Sequence, residues 1–397
     1  MSNRFLLSGI MLFGCLLSGV LASDFTVGGY AKYLFSSTRY PFYNQRLNDH
    51  LLHLRLNTHW YPTPNLQAAL EIRFRAYYGN SVEKIPNFSD LIRNQHERWK
   101  MDKFFWETTH SVGYGEVDRL WVDYTIGNLQ ITAGRQRIAW GTTLVWNVID
   151  VFNPYNILDF DYEEKPGSDA LRIQYYTGPV SKVEFSCKPG GNKRSTIWAG
   201  LWSIHIGNYD LFVIGGVRRN RWIAGGAWSG YIHDGGFRGE FLLSDAPAKS
   251  APEPLPDYAY FLDSFYLEHR KSFSASLSYD YTFSSSLYLH GEILYNSIGK
   301  THHAGLYYWE APEVGLLSPA RWSLFGEAAY DLTPLIRGSL FGIYNPDDHS
   351  YILVPSLTYS VLTNLDALLL AFFPDGDTLS EFGSFGTSYF VRFKYSF

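Results

Sequence analysis

Residues 70–78 read LEIRFRAYY. In an extended chain Glu71, Arg73 and Arg75 share one face, while Leu70, Ile72, Phe74, Ala76 and Tyr78 share the other. Two arginines at alternate positions make neither a nucleophile nor a general acid. They make a fixed positive field, and such a field binds or steers anions. Applying the same parity along the chain places His53, Arg55, Asn57 and His59 on one face, against Leu52, Leu54, Leu56 and Trp60. Arg119 and Asp123 stand against Leu120, Val122, Tyr124 and Ile126, and Arg172 and Gln174 against Leu171, Ile173 and Tyr175. Lys32, Arg392 and Lys394 extend the basic set to both ends of the chain. Asp280, Glu292, Glu327 and Asp331 fall on the equivalent face of later segments, with Arg337 among them as an exception.

The other chemistries are weakly represented. No Gly-x-Ser-x-Gly elbow occurs. His302 and His303 are adjacent, and adjacent residues on a strand point opposite ways, so no metal site is expected. No phosphate-cradling glycine loop implies a cofactor. Net charge is −5, which points away from nucleic acid as a partner. The expectation is a chain that is not an enzyme and has no cofactor.

Alternating segments with turn signals at their ends are what must position these charges. Candidate strands lie at 25–36, 51–61, 66–78, 116–126, 129–138, 168–177, 180–188, 196–206, 209–218, 222–231, 236–243, 272–283, 287–296, 320–331, 335–344, 351–361, 365–373 and 387–397. Each is near the ~9–11 residues that a tilted strand needs to cross a bilayer. Links at 62–65, 127–128, 178–179, 207–208, 233–236, 284–286, 332–334 and 363–364 are short and rich in Gly, Asn and Pro. Between them fall mostly longer links: 37–50, 79–115, 139–167, 244–271, 297–319 and 374–386. Aromatics make up 18% of the chain, and many cluster at strand ends, including Trp60, Tyr61, Tyr175, Tyr176, Trp222 and Tyr344. Headgroup-level girdles account for such clusters.

This combination predicts an all-β transmembrane protein. It would be an antiparallel up-and-down β-barrel of about 18 strands, with 16 as the alternative, having short periplasmic turns and long outer loops. A basic side chain facing lipid at mid-bilayer costs ~2–4 kcal/mol, so the charged rows must face the interior. Residues 1–22 carry Arg4, an apolar run and Val20-Leu21-Ala22, and read as a signal peptide cleaved near Ala22. Residues 23–397 form the barrel domain, and the expected location is the bacterial outer membrane. Cys15 would leave with the signal, and Cys187 would stand alone. Stability must then come from a closed hydrogen-bond ladder and not from a disulfide. The chain ends SYFVRFKYSF, and Tyr395 and Phe397 resemble the C-terminal recognition signal of outer-membrane barrels. The expected partners are outer-membrane lipid, the barrel-assembly machinery and small hydrophilic solutes.

With the last strand closed on the first, Lys32, Arg55, Arg73, Arg75, Arg119, Arg172, Arg392 and Lys394 form a pore-lining basic wall. Asp150, Asp159, Asp161, Asp280, Glu292 and Glu327 are the opposing acidic groups. Regular alternation fails at 134–161, GRQRIAWGTTLVWNVIDVFNPYNILDFD, where Arg135 and Arg137 would follow Ala133 onto the lipid face. Gly134 is the expected bulge that corrects them. Here the chain resembles porin-superfamily proteins with a Gly-x-Gln…Trp-Gly…Asp…Asn-Pro signature, and more distantly alginate-export barrels. The matching residues are Gly134, Gln136, Trp140, Gly141, Asp150, Asn153 and Pro154. The resemblance implies an outer-membrane channel with a loop folded into its lumen. The acidic loop 139–167 is expected to turn inward, with Asp150, Asp159 or Asp161 against Arg73, Arg75, Arg119 and Arg172. The functional expectation is a porin-like channel for passive diffusion of small hydrophilic, anionic solutes. The alternatives are a non-conducting secretion or surface-assembly barrel that binds an acidic polymer or protein, and, with least support, an outer-membrane hydrolase.

Overall fold

A computed structural model describes residues 24–41, 45–93, 97–153, 158–191, 195–252, 254–260 and 262–397. The signal reading at 1–22 and Pro154 of the motif lie outside the described residues. The strands are β1 (Phe25–Arg39), β2 (Leu47–Thr63), β3 (Leu66–Gly79), β4 (Asp102–Glu107), β5 (Ser111–Ile126), β6 (Leu129–Gln136), β7 (Ser168–Tyr176), β8 (Lys182–Lys188), β9 (Ile197–Ile206), β10 (Tyr209–Arg218), β11 (Arg221–Ile232), β12 (Gly235–Ser244), β13 (Ser272–Thr282), β14 (Leu287–Asn296), β15 (Trp322–Thr333), β16 (Ile336–Tyr344), β17 (Tyr351–Leu362), β18 (Leu365–Asp375) and β19 (Thr387–Ser396). Every strand except β4 occupies a full place in one closed antiparallel ring, which makes an 18-stranded up-and-down barrel. β19 closes on β1, pairing Lys394 with Lys32 and Arg392 with Leu34. Phe397 and Gly29 exchange reciprocal N–H···O bonds of 3.0 Å. The ring of strands closes on itself, so the fold does not need a disulfide from Cys187.

Parity holds through most strands. On β2, Leu52, Leu54 and Leu56 are about two-fifths exposed on the outside, while His53 and Arg55 are buried inside. Eight short turns sit at the end where the described chain begins and ends, and one further two-residue turn, Arg219-Asn220 between β10 and β11, sits at the other end. Gly127 (φ 55°) and Gly207 (φ 62°) supply the left-handed backbone that two-residue hairpins require.

Alternation breaks in two places. The β3–β5 register shifts between Glu71 and Ile72, which pair with Arg119 and Val117. Asp118 is the extra residue of this bulge, and both Asp118 and Arg119 are buried within the barrel. The second break is at β6. Its ladder with β7 stops at Gln136 and Ser168, where the chain turns into the lumen. Above that point β4 takes over the pairing with β5, from Asp102–Glu116 to Glu107–Val112. A Cβ at Gly113 would lie 2.4 Å from the Trp106 ring and one at Gly115 2.8 Å from Phe105, so the two glycines let these aromatics lie flat on β5. The seam between this patch and β7–β8 is polar. Glu97 accepts from Lys188 Nζ (2.5 Å) and the Asp169 amide (2.7 Å), and Asp169 accepts from the Trp99 amide (3.0 Å). Arg135 does not face lipid. It is buried in this seam, donating to Asp169 at 2.7 Å and to the Val117 carbonyl at 2.9 Å.

Candidate functional site

The segment after Gln136 is too apolar to remain outside. Ile138, Trp140, Val145, Trp146, Ile149 and Phe152 are all buried, and they pack on inward-facing Ile214, Leu242, Leu294 and Phe325. The Trp146 and Phe325 rings meet edge to face at 6.3 Å. Much of the lumen wall from β9 to β18 is therefore greasy where this loop lies. Parity alone identifies these residues as inward but does not say that they are covered.

Two wall carboxylates hold the loop by its main chain. Glu240 on β12 accepts from the Thr142 amide and from the amides of Thr143 (2.9 Å) and Ile149 (3.1 Å). Glu292 on β14 accepts from the amides of Leu144 (3.2 Å), Val145 (3.0 Å) and Trp146 (2.6 Å). A loop segment with no ladder partner must place its buried N–H groups somewhere, and charged acceptors satisfy them strongly. Trp140 Nε1 donates to Glu184 on β8 at 2.8 Å. The motif residues shape the loop. Gly141 has φ 138°, and a Cβ there would lie 2.1 Å from Asn147 Oδ1. Asn153 Nδ2 donates to the Ile138 carbonyl (2.9 Å), its Oδ1 accepts from Ser168 (2.7 Å), and its amide donates to Asp150 (3.2 Å).

The second limb of the loop crosses to the basic wall. Asp161 pairs with Lys32 (3.0 Å) and His53 (3.3 Å), and Glu163 with Arg392 (2.8 Å) and Lys394 (2.6 Å). Arg55 lies 2.7 Å from Asp118, pairs also with Glu71, and reaches Glu164 at 4.0 Å. Arg119 donates to the carbonyls of Glu164 (3.1 Å) and Lys165 (2.5 Å). Arg73 donates to Glu116 at 2.8 Å and stacks 3.7 Å above the Tyr162 ring. Arg75 donates to Tyr77 (2.9 Å) and the Ile92 carbonyl (3.0 Å). Phe160 packs on Phe390 at 4.8 Å.

The loop thus turns inward as the sequence suggests, but with different partners. Asp161 meets Lys32 and His53, not Arg73, Arg75, Arg119 or Arg172. Arg172 pairs with Glu184 at 2.7 Å. Asp150 meets none of these arginines and is buried within the loop. The expected facing acids are also occupied locally. Asp280 pairs with Arg238, Glu327 lies 3.9 Å from His290, Arg337 pairs with Asp331 at 2.8 Å, and Glu292 binds the loop amides. Glu116, Asp118 and Glu184 do much of the charge pairing, Glu240 binds loop amides, and none of the four stands out in sequence. Carboxylates that bind main chain or the adjacent strand leave no motif.

The loop carboxylates have divergent acidities. Burial alone would raise Asp161, but the hydrogen bond with His53 and the charge of Lys32 outweigh it and hold the group below the usual carboxylate range. Asp159 is exposed to the lumen yet walled by protein, and burial followed by the Asp161 charge pushes it up. Burial raises Asp150 to about 8. The folded chain therefore holds a proton there that the unfolded chain has released. Stability from this site should fall as pH rises from near 4 towards 8, then level off. Heat unfolding followed from pH 5 to 8 should show a smaller pH dependence in Asp150→Asn than in the native chain. Equal slopes would refute the assignment.

On the long-loop side of this loop lies a cavity of about 490 Å³. Arg73, Arg75, Arg93, Lys188, Arg218 and Arg219 line it, against Glu97, Asp159 and Glu313. Of the expected basic wall only Arg73 and Arg75 reach it, because the second limb covers Lys32, Arg55, Arg119, Arg392 and Lys394, and Arg172 is held by Glu184. Arg218 and Arg219 escaped the sequence reading, although three arginines in the run VRRNRW were a visible signal. Arg93 pairs with Asp102 (3.1 Å), Lys188 with Glu97 (2.5 Å), and Arg219 with Glu313. Arg218 has no carboxylate within ion-pair distance among the described residues and donates to the Pro312 carbonyl at 3.4 Å.

No protein-family model matches the chain, and no curated protein matches it. Solved structures do. Pseudomonas aeruginosa OccK5 (OpdH) superimposes with a TM-score of 0.60 at 8% identity, covering 94% of this chain and 98% of its own. The outer-membrane protein OpdK from the same organism gives 0.56 at 9% identity, covering 94% and 98%. Acinetobacter baumannii OccAB1 gives 0.55 at 8% identity, covering 94% and 96%. With the ring closed and the inward loop in place, the chain has the 18-stranded up-and-down fold of the outer-membrane porins.

Proposed function

We propose that this chain is a bacterial outer-membrane channel through which small hydrophilic solutes diffuse passively, with anions favoured. The observation that carries the reading is the basic-lined cavity above the loop. Arg218 enters it without a carboxylate, and Arg75 only shares Glu116 with Arg73, at 3.4 Å. An 18-stranded ring encloses more space than wall side chains can fill, and charged linings are how pores select ions. The porin fold of the structural neighbours supports transport as the role and not catalysis. In this reading residues 1–22 are removed on export, and Tyr395 and Phe397 present the final strand to the assembly machinery.

Planar-bilayer recording tests it. The native protein should conduct with anions more permeant than cations. Arg75→Ala combined with Arg218→Ala should move the reversal potential towards cations without loss of the folded barrel. Silence in pure protein at every voltage would end the channel reading. It would favour a non-conducting barrel that binds an acidic polymer or protein partner, a role compatible with the apolar packing between loop and wall.

A further inference from the structure

The outer face of the barrel carries an asymmetry that solute passage does not use. None of the turns at the end where the chain begins and ends contains Lys or Arg. At the opposite rim, three cations stand over outward-facing girdle rings. Lys271 lies 5.3 Å from Trp222, Arg46 5.6 Å from Tyr389, and Lys103 5.9 Å from Phe105. All three cations are exposed, and among the described residues none has a carboxylate within ion-pair distance. A cation held over an interfacial ring with no carboxylate in contact sits at headgroup depth and is open to a lipid anion.

Below this rim the outer wall is hollowed. A depression of about 660 Å³ on the outer face is lined by Phe241, Phe273, Ala275, Leu277, Ile293 and Trp322, among others. Phe273, Ala275 and Leu277 form the outward row of β13, which begins at Ser272, one residue after Lys271. The small Ala275 leaves the floor of the hollow open, and the surrounding side chains are almost wholly apolar. A cation with no ion-pair partner at the head of the strand row that lines an apolar, membrane-facing hollow matches one kind of ligand: an anionic headgroup with an acyl chain.

We propose that this is a binding site for an acylated, phosphorylated glycolipid of the outer leaflet. Its phosphate would rest on Lys271 and one acyl chain in the hollow, with Arg46 and Lys103 repeating the phosphate contact elsewhere on the rim. The rim lies on the long-loop side, which the barrel presents to the outer leaflet. The net charge of −5 would by itself repel such a lipid, so the attraction must come from these placed cations.

The full barrel, purified in a zwitterionic detergent, would be titrated with bisphosphorylated lipid A, with its dephosphorylated form and with phosphatidylglycerol. The readout is the heat-unfolding midpoint on unboiled gels, which rises when a ligand binds only the folded chain. The phosphorylated glycolipid should raise the midpoint most. Lys271→Gln should weaken its apparent affinity about fivefold, the loss of one surface cation–phosphate contact. Ala275→Trp, which fills the hollow, should abolish the response to both glycolipids while leaving the folded band intact. If that variant fails to fold, Lys271→Gln still decides the matter. An equal response to dephosphorylated lipid or to phosphatidylglycerol, or an unchanged affinity in Lys271→Gln, overturns the proposal.

Discussion

Glu240→Ala combined with Glu292→Ala is expected to raise single-channel conductance several-fold and to make the current noisy. Each carboxylate is the acceptor for three loop amides, and alanine leaves all of them without a partner. Each buried N–H left unsatisfied costs about 1–3 kcal/mol. The first limb would leave the wall to find water, taking Trp140 and Trp146 out of the apolar packing and clearing part of the lumen. Glutamine at both positions keeps an acceptor oxygen and should produce a smaller change. The barrel ladder does not depend on these carboxylates, so the folded band on an unboiled gel should persist. A quiet channel of native conductance in the alanine variant would show that the loop is held by other contacts.

The second large effect is on stability. Arg55 sits with Asp118, Glu71 and Glu164, and the Arg55 and Asp118 side chains are almost fully buried. Arg55→Met keeps most of the volume but strands carboxylates around an apolar chain. Removing one partner of a buried ion pair typically costs about 3–5 kcal/mol. The heat-unfolding midpoint should therefore drop clearly at neutral pH. Acid should relieve the penalty, because carboxylates left without a cation can take up protons. A variant as stable as the native barrel at pH 7, or one whose deficit grows in acid, would contradict this account of the cluster.

Most of the barrel is legible in sequence because its signals are local. A period of two, turn residues at strand ends and an aromatic C-terminal strand each need only a short window, and every ring strand has a counterpart among the expected segments. β4 escaped because DKFFWE sits inside a long link with no turn signal of its own, and its role is to patch a gap opened elsewhere. Parity counting puts Arg55, Arg73 and Lys394 on one face, and in the fold they meet Asp118, Glu116 and Glu163; it passes over Asp118 itself, because a bulge turns two neighbours to one face. The pairing of the loop was the hardest part. The acidic run 159–164 is plain to see, and so is the basic wall, but which carboxylate meets which cation depends on loop height in the lumen. No spacing rule encodes that height. Glu240 and Glu292 show the same limit, since their partners are backbone amides that every residue except proline carries.

The inward loop is fastened to well-separated parts of the ring. Its first limb is held at β8, β12 and β14 through Glu184, Glu240 and Glu292, and its second at β1, β2, β5 and β19 through Asp161, Glu163 and the Arg119 contacts. Mechanically this makes it a tie-bar across a hoop. A bare ring of eighteen strands has no strut of its own across the lumen. A bar fastened at both ends fixes one diameter and so sets the cross-section. The length of this segment then governs the shape of the barrel as strand number governs its girth. Lengthening it would let the ring relax towards a circle or an oval without altering a single residue of the wall.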